Sequence, residues 1–345
     1  MKIVGCDLHT RYQQIALLDA ATGELEERRL EHESGEAQAF YAALSSPVRV
    51  GIEATGHTRW FERLLGELGH ELWIGDAAQI RAAMVRKQKT DARDAAHLLE
   101  LLLSGRFPRI WRPTLEERDL RQLVWHRQKL GWRRNAIGNQ LHALAMGEGV
   151  CRKKKLFTKK GRVELEGLQL GPWASHRRQE LLTMMDQLDS SMKELDQAVA
   201  EQAEQNQAAV LLMTHPGVGP VTSLAFVLTI GPVARFERSK QVVSYLGLNP
   251  REHSSGGRQR LGAISKQGNP MMRSLLVEAG HTAARLDAEL RQDYQRLKMR
   301  RGSGVAKVAI ARKLAVRMYW MLRSPASYAQ LVRMQGSPGA TLVKP

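Results

Sequence analysis

The stretch KIVGCDL, residues 2–8, decides how the N-terminal part of the chain folds. Its short apolar run is typical of a strand that is buried in a sheet. Near its end the run contains Asp7, and a carboxylate in an apolar strand is costly unless a cation accompanies it. The sequence therefore predicts a core strand that carries a cation-binding residue close to its end.

Alternating strand and helix patterns continue outward from this strand. Further strands are predicted at QQIALLD, EERRLEH, VRVGIEA and HELWIGD, which are residues 13–19, 26–32, 48–54 and 70–76. Helices are predicted at residues 37–44, 58–68, 79–86 and 92–103. This order predicts a mixed α/β sheet domain over residues 1–112, with Pro108 and Pro113 marking its end.

A helical segment is predicted over residues 113–210. It begins with a long helix at 116–146, and a second helix carries apolar residues at alternating steps of four and three: Leu181, Met185, Leu188, Met192, Leu195 and Val199. This seam is the heptad pattern of a coiled coil, but it lasts less than three heptads. Two interpretations remain open: self-association through the seam, and a helical hairpin packed on the preceding helix.

The C-terminal part is predicted to be mainly α-helical. Over residues 211–330, glycine-rich connections separate short apolar helices, and a basic helix is expected at about 304–322. Residues 331–345 end in the low-complexity sequence GSPGATLVKP, for which we predict a disordered tail.

The composition limits the class of protein. The 345 residues carry a net charge of +17, which indicates a polyanionic partner, either nucleic acid or an anionic membrane surface. The two cysteines, Cys6 and Cys151, provide neither a zinc ligand set nor a disulfide framework. No stretch of 18 apolar residues and no signal-peptide pattern is present, so we expect a cytoplasmic protein.

The positive charge is concentrated in the later parts of the sequence. The net charge is −3 over residues 1–120, +7 over 121–250 and +13 over 251–345. The densest basic run is RKKKLFTKKGR, residues 152–162, which would contact a phosphate backbone in a salt-dependent way. The alternative for this run is a solvated, partly disordered loop.

Four acids of the first domain are candidate metal ligands: Asp7, Glu53, Asp91 and Asp94. The spacing of Asp91 and Asp94 places both carboxylates on one helix face. Carboxylates that converge from separate elements suit Mg²⁺, and two such ions can hold the attacking and leaving oxygens of a phosphodiester. Asp91 and Asp94 also have a structural explanation, because acids stabilise the first turn of a helix and Asp91 is a possible N-cap.

Six motifs in order resemble one family. GCDLHT, GIEATG and KTDARDA resemble the Asp, Glu, Asp, Asp signature of the RuvC-like, ribonuclease-H-fold domain of the DEDD-type insertion-sequence transposases, which are bridge-RNA-guided recombinases. HPGVGPVTS, YLGLNP and SSGG with ISKQGNPMMRSLLVEA resemble the transposase domain of the same family, in the same order.

The resemblance implies a mechanism and partners. Asp7, Glu53, Asp91 and Asp94 would bind Mg²⁺, and Ser255, directly before Gly256, would attack DNA; Ser254 is the neighbouring competitor. The family works with donor and target DNA, a structured bridge RNA and a dimer or tetramer of the protein, and not with a membrane. The expected nucleic-acid contacts are Arg152, Lys153, Lys154, Lys155, Lys159, Lys160, Arg258, Arg260, Lys266 and Arg273.

Other functions compete with this interpretation. A metal-dependent junction-resolving nuclease would use the four acids without Ser255, and a sugar-kinase-like ATPase shares the GxDxxT pattern of the first motif. HPGVGPVTS, residues 215–223, is either a phosphate-binding helix-hairpin-helix turn or a tight turn between packed helices. His215, His253 and His281 could transfer protons, but structural roles are the simpler expectation.

Overall fold

The structure is a computed structural model that describes residues 1–45, 47–84, 90–152, 155–253 and 260–336. The chain divides into two compact units, Met1–Arg112 and Pro113–Pro345. The first unit is mixed α/β and the second is mainly helical, so the predicted fold class is confirmed at this level. Within the described residues, no helix combines the length and the apolar character needed to cross a membrane.

The described part of the first unit contains a five-stranded sheet in the order β3-β2-β1-β4-β5. Its strands are β1 (Lys2–Leu8), β2 (Tyr12–Asp19), β3 (Leu25–Glu31), β4 (Arg49–Glu53) and β5 (Glu71–Gly75). β1, β2 and β3 form an antiparallel meander, whereas β4 and β5 continue the sheet parallel to β1. The carboxyl ends of β1, β4 and β5 therefore lie along one edge.

Helices cover both faces of this sheet. They are α1 (Glu36–Ala43), α2 (Arg59–Glu67), α3 (Ala77–Ala83) and α4 (Asp91–Leu103). On one face, large apolar side chains of the strands pack with α1 and α2. On the other face, α4 lies across β1 and packs with Ile3, Ala16 and Phe107.

The second unit begins with a helical hairpin. Its elements are α5 (Leu115–Gly147), α6 (Lys159–Glu166) and α7 (Pro172–Gln205). α5 starts at Thr114, whose hydroxyl accepts a hydrogen bond from the Glu117 amide while the Glu117 carboxylate accepts one from the Thr114 amide. The two long helices run antiparallel and are joined by two ion pairs, Arg127 with Asp196 and Arg134 with Asp189.

The heptad seam of α7 packs within the chain. Leu181 and Met185 are buried against the last turns of α5, and the Met192 methyl lies 3.7 Å from the position of a Cβ at Gly131 of α5. Val199 joins the core of the helices that follow. The structure thus places the seam in a helical hairpin, and self-association through α7 stays a prediction.

The remaining elements of the second unit share one large apolar core, and a smaller separate cluster contains Ala283, Leu290 and Ile310. These elements are α8 (Gln207–Met213), α9 (Pro220–Ile230), α10 (Ser239–Tyr245), the hairpin strands β6 (Pro250–Glu252) and β7 (Leu261–Ile264), α11 (Pro270–Leu286), α12 (Ala288–Arg323) and α13 (Tyr328–Gly336). Gly302, with a left-handed φ of 81°, divides α12 into two helices, and the helix that follows Gly302 and ends at Arg323 lies where the basic helix was expected.

Two predictions of the C-terminal part need correction or refinement. The predicted disordered tail, 331–345, begins inside α13, because Leu331 is buried in the core; residues 337–345 lie outside the described residues. In the HPGVG turn, Gly217 has a φ of 87°, and a Cβ there would meet the Ala283 amide at 2.5 Å. Gly217 therefore serves close packing on α11, in agreement with the tight-turn interpretation.

Candidate metal centre

Asp7 and Glu53 lie in the same row of the sheet. The β1–β4 ladder pairs Gly5 with Gly51 and Cys6 with Ile52, so the next residues along these parallel strands are Asp7 and Glu53. Because side chains alternate between faces, both carboxylates lie on the face covered by α4. Both residues are half-buried.

Glycine brings the backbone of α4 close to this row. A Cβ at Gly5 would lie 2.3 Å from the Ala95 carbonyl oxygen and 2.4 Å from the Leu99 amide nitrogen, which no side chain tolerates. Gly5 therefore permits the helix to lie directly on β1, two residues before Asp7. The first turn of α4, with Asp91 and Asp94, is placed next to the end of the strand by this contact.

The N-cap of α4 is Thr90 and not Asp91. Thr90 has extended backbone angles, and its hydroxyl accepts a hydrogen bond from the Arg93 amide at 3.4 Å. The structural explanation of Asp91 as a cap is therefore wrong, because its neighbour already fills that role. The Asp91 carboxylate instead accepts a hydrogen bond from the Tyr12 hydroxyl at 2.8 Å.

His9 joins the two acidic elements. Its Nε2 lies 3.1 Å from Asp7 Oδ2 and 3.6 Å from Asp91 Oδ2. Its ring stacks on Tyr12 with the ring centroids 4.6 Å apart, and the guanidinium of Arg29 lies 3.7 Å from the Tyr12 centroid. A stacked and hydrogen-bonded imidazole thus holds the carboxylates of β1 and α4 at one point.

The electrostatics of Asp7 favour a bound cation. Burial raises the pKa of this carboxyl, His9 lowers it, and Asp94 and Asp91 raise it again. Ligand atoms of Asp7, His9 and Asp91 all lie within 4.8 Å of one another. Carboxylate oxygens are ligands that divalent cations accept, His9 holds two of these carboxylates together, and a cation would remove the repulsion among the acids. The side chains therefore fit a divalent metal.

The predicted ligands do not all reach this point. Among the described residues, the tight group contains Asp7 and Asp91 with His9, while Glu53 and Asp94 are outside it. Asp94 is near enough to affect the charge state of Asp7, and Glu53 ends the neighbouring strand.

His9 and Tyr12 were not predicted as part of the site. The signal for His9 is its spacing: two residues after Asp7, it shares the face on which Asp7 lies. Tyr12 starts β2, and its role depends on where α4 packs, which no local pattern gives.

Part of the predicted nucleic-acid surface is engaged in ion pairs within the chain. Arg152 donates two hydrogen bonds to Glu164, at 2.8 and 3.0 Å. Lys155, Lys159 and Lys160 are exposed, whereas Lys153 and Lys154 lie outside the described residues. These contacts hold the segment before α6 against Glu164 in the last turn of that helix, so Arg152 is a weaker candidate for phosphate binding than the three lysines.

The predicted nucleophile lies outside the described residues, as do Ser254 and Arg258. The flanking strands β6 and β7 pair antiparallel, so Ser255 belongs to the segment between the two strands of a hairpin. Arg260 and Lys266 are exposed next to this hairpin. Arg273 donates to the carbonyls of Leu246 and Gln267, which makes it an anchor of the local fold.

Two of the histidines considered for proton transfer have structural surroundings. His215 is buried, and burial lowers its pKa to about 4; its Nδ1 lies 2.9 Å from the Pro216 carbonyl oxygen. Burial lowers the pKa of His281, and its Nε2 lies 3.0 Å from the Arg285 guanidinium. His253 is exposed beside β6.

Both units match sequence families of transposases. A transposase family of the IS110 DEDD type matches residues 4–147, and the family described as "Transposase IS116/IS110/IS902 family" matches residues 209–295. The sheet and its acids lie in the first match, and the hairpin that flanks Ser255 lies in the second.

Curated relatives match over most of the chain. A probable family 20 transposase of Pseudomonas aeruginosa is 28% identical over 336 residues, covering 93% of this chain and 96% of the relative. The transposase for insertion sequence element IS1111A of Coxiella burnetii is 26% identical over 341 residues, covering 95% and 91%. The transposase for insertion sequence element IS1328 of Yersinia enterocolitica is 25% identical over 297 residues, covering 82% and 85%.

These matches identify the class as the DEDD-type insertion-sequence transposases, which confirms the resemblance seen in the motifs. More closely, the chain belongs to the IS116/IS110/IS902 transposase family. Membership implies an enzyme that cleaves and rejoins DNA.

Proposed function

We propose that this transposase is an RNA-guided recombinase that exchanges strands between donor and target DNA through a serine-linked intermediate. The observation that carries the proposal is the convergence of Asp7 and Asp91 around His9 at the carboxyl edge of the sheet. Acids held together at a half-buried position serve no packing purpose, and their mutual repulsion is a cost that a cation-binding function explains.

The order and direction of the strands support a RuvC-like, ribonuclease-H-type fold for the first unit. Three antiparallel strands followed by two parallel ones place Asp7 and Glu53 on adjacent strand ends. In this proposal Asp7, Glu53, Asp91 and Asp94 hold Mg²⁺, and His9 orients two of them. When bound, the cation would stabilise the negative charge that develops on the scissile phosphate.

Ser255 supplies the nucleophile in the proposed reaction. Its Oγ attacks the phosphorus and a phosphoserine ester forms, while the bond from phosphorus to one deoxyribose oxygen breaks. That oxygen leaves as the hydroxyl of a DNA end, with a proton that replaces the one lost by the serine. In the second step the hydroxyl of another DNA end attacks the phosphoserine, which rejoins the DNA and restores Ser255.

The uneven charge supports a nucleic-acid partner for the part of the chain that follows residue 120. The first 120 residues are net −3, whereas the rest of the chain carries the positive charge. Exposed Lys155, Lys159 and Lys160 with Arg260 and Lys266 are the proposed backbone contacts. A structured RNA that pairs with both DNAs would choose the site, and the protein would bind backbones and shape. The proposed working unit is a dimer or tetramer.

The proposal is tested first by the nucleic acid that copurifies with the protein. We expect sequencing to recover one discrete, structured RNA whose loops match donor and target DNA. ATP turnover by a preparation that contains no RNA would overturn the proposal in favour of an ATPase.

The serine step is tested with a matched pair of variants. With RNA, Mg²⁺ and both DNAs, Ser255→Ala should lose the covalent protein–DNA adduct and strand exchange. Ser254→Ala, which removes the neighbouring hydroxyl, should retain both. Cleavage by Ser255→Ala at the rate of the wild type would contradict the serine step and favour a metal-dependent nuclease.

A further inference from the structure

The second unit contains a cavity of about 570 Å³ lined by aromatic side chains, which no part of the proposed reaction uses. Trp125 of α5, Phe236 and Tyr245 form its aromatic lining, and Thr229 and Gln267 are among its polar residues. We call this cavity the aromatic pocket. Its lining comes from five separate segments of the unit, so it is a product of the tertiary fold and not of one loop.

The aromatic rings offer stacking surfaces at different depths. Phe236 is buried, whereas 40% of the Tyr245 surface is exposed. The ring centroids of Phe236 and Tyr245 are 5.4 Å apart in an edge arrangement. A cation already lies over these rings, because the Arg235 guanidinium carbon is 4.9 Å from the Phe236 centroid and 5.1 Å from that of Tyr245.

A buried hydroxyl lines the pocket without a hydrogen-bond partner in the described structure. Thr229 is 5% exposed, and its Oγ1 is fully buried. Buried hydroxyls without partners are rare because the desolvation cost is not repaid. Because Thr229 Oγ1 is closed to water from the pocket, this hydroxyl lies beneath the lining, and the exposed Gln267 is the residue that offers an amide to the edge of a ligand.

The charge around the pocket suits an anionic ligand. Arg121 lines it and donates a hydrogen bond from Nε to the Leu228 carbonyl oxygen at 3.0 Å. Burial lowers the pKa of Arg121, Tyr245 and Glu117 raise it, and the nearby Arg118 and Arg235 lower it again. Three guanidinium groups against the one carboxylate of Glu117 give the surroundings of Arg121 a net positive charge, which suits a phosphate group.

A second cavity in the same unit provides a contrast. It is larger, about 730 Å³, and the described residues that line it include many aliphatic side chains, such as Val243, Val308 and Val316, but no aromatic ring. Flat ligands with a π face therefore distinguish the two cavities: the aromatic pocket offers stacking, and the aliphatic cavity does not.

We propose that the aromatic pocket binds one unstacked nucleobase, with Tyr245 as the stacking residue and the surrounding arginines near the flanking phosphate. Stacking on aromatic rings, hydrogen bonds to the base edge and a cationic rim are together the features by which proteins hold an extruded base. This proposal rests on the proposed function in one respect: the base belongs to a nucleic acid that the enzyme binds. The base comes from either RNA or single-stranded DNA, which offer the same chemistry.

Photocrosslinking tests where a base binds. Full-length protein is irradiated with single-stranded DNA or RNA of about twelve nucleotides that carries 5-iodouracil, and crosslinked peptides are mapped by mass spectrometry. We expect crosslinks at Tyr245 or Trp125, and the strand that gives them identifies the source of the base. Crosslinks that map entirely outside the pocket would overturn the proposal.

Binding of the same oligonucleotides, measured by fluorescence anisotropy over a range of salt, tests the role of Tyr245. Tyr245→Ala and Tyr245→Leu should weaken binding about 10-fold, because one stacking contact is lost. The dependence of affinity on salt should not change, since no phosphate contact is removed. Tyr245→Phe keeps the ring and should bind within about 2-fold of the wild type.

Trp132→Ala is the matched control on α5, because Trp132 is 41% exposed and does not line the pocket. It should bind as the wild type does. Equal affinities of Tyr245→Ala, Tyr245→Leu and the wild type would overturn the proposal, as would a change of oligomeric state in place of a change in affinity. If the wild type binds neither oligonucleotide, the proposed function itself fails, which is a different result.

Discussion

The two faces of the five-stranded sheet differ in what their side chains do. On one face, Val4, Cys6 and Ile52 are fully buried and pack with α1 and α2. On the other face, the same strands present glycine where the first face has large side chains, and then end on Asp7 and Glu53.

This difference shows how one strand can serve two purposes. Because neighbouring side chains point to opposite faces, the apolar even-numbered residues of β1 pack with α1 and α2, while Ile3 and Gly5 pack under α4 and lead to Asp7 at the candidate site. Gly5 is the link: it lets α4 lie on the strand and thereby sets Asp91 beside Asp7. The four predictions below test this separation.

The largest effect is expected at Asp7. Asp7→Asn should lower strand exchange by about 1,000-fold, about 4 kcal/mol, because the charged metal ligand of the proposed reaction is lost. The same substitution should stabilise the folded protein, because the raised pKa of Asp7 shows that its charged form is disfavoured in the folded state. The stability gained from the neutral form is present at low pH and is lost as pH rises through the folded pKa, so at neutral pH the charge is a cost.

The measurement is the unfolding temperature with a chelator and with Mg²⁺. In chelator, Asp7→Asn should unfold at a higher temperature than the wild type. Mg²⁺ should raise the unfolding temperature of the wild type but not that of Asp7→Asn. Asp76→Asn is the control, because it changes the charge equally and Asn also caps α3, where Asp76 accepts from the Gln79 amide. Stabilisation of Asp7→Asn by Mg²⁺ equal to that of the wild type would break the assignment of Asp7.

The second effect concerns the close approach of α4. Gly5→Ala should lower the free energy of unfolding by about 3 kcal/mol, because the new methyl group meets helix backbone and not a flexible side chain. Chemical denaturation measures this change. Gly66→Ala, in an exposed turn of α2 with open space around the new Cβ, should instead stabilise the protein by about 0.5 kcal/mol. Equal effects of the two substitutions would contradict the role given to Gly5.

The third effect concerns His9 as a positioning residue. His9→Ala should weaken Mg²⁺ or Mn²⁺ binding about 10-fold, since groups that orient metal ligands have effects of this size. Calorimetric titration with each metal alone provides the measurement. The exposed His57, whose ring contacts Thr55, gives the control variant His57→Ala. Unchanged metal affinity in His9→Ala would remove His9 from the site.

The smallest effect is expected on the face of the sheet that packs with α1 and α2. Ile52→Val removes one methylene from a fully buried side chain and should cost about 1 kcal/mol of stability. Metal affinity should stay as in the wild type, although Ile52 directly precedes Glu53. A metal affinity that falls with this loss of stability would show that the two faces are coupled.

The strands and the acids at their ends were predictable because their signals are local. The apolar run of residues 2–8 predicts β1 as it is observed, and the carboxylates stand out within such runs. The positions of residues that are distant in the sequence but close in the fold were not predictable. Thr90 and Asp91 are both suitable caps, and only the backbone angles distinguish them. The contacts of His9 require α4 to be in place, and a strand glycine gives no sign of the helix that it admits.

The hairpin of α5 and α7 has a consequence for length. Its ion pairs, Arg127 with Asp196 and Arg134 with Asp189, are seven residues apart on each helix, which is the spacing of one heptad. The 33 residues of α5 extend about 50 Å, the length of about fifteen DNA base pairs. Because the ion pairs and the apolar seam share one repeat, removing seven residues from each arm would shorten the hairpin by about 10 Å and keep the remaining residues of this repeat facing each other. The length of the hairpin can thus change in steps of one heptad with less disturbance than in other steps.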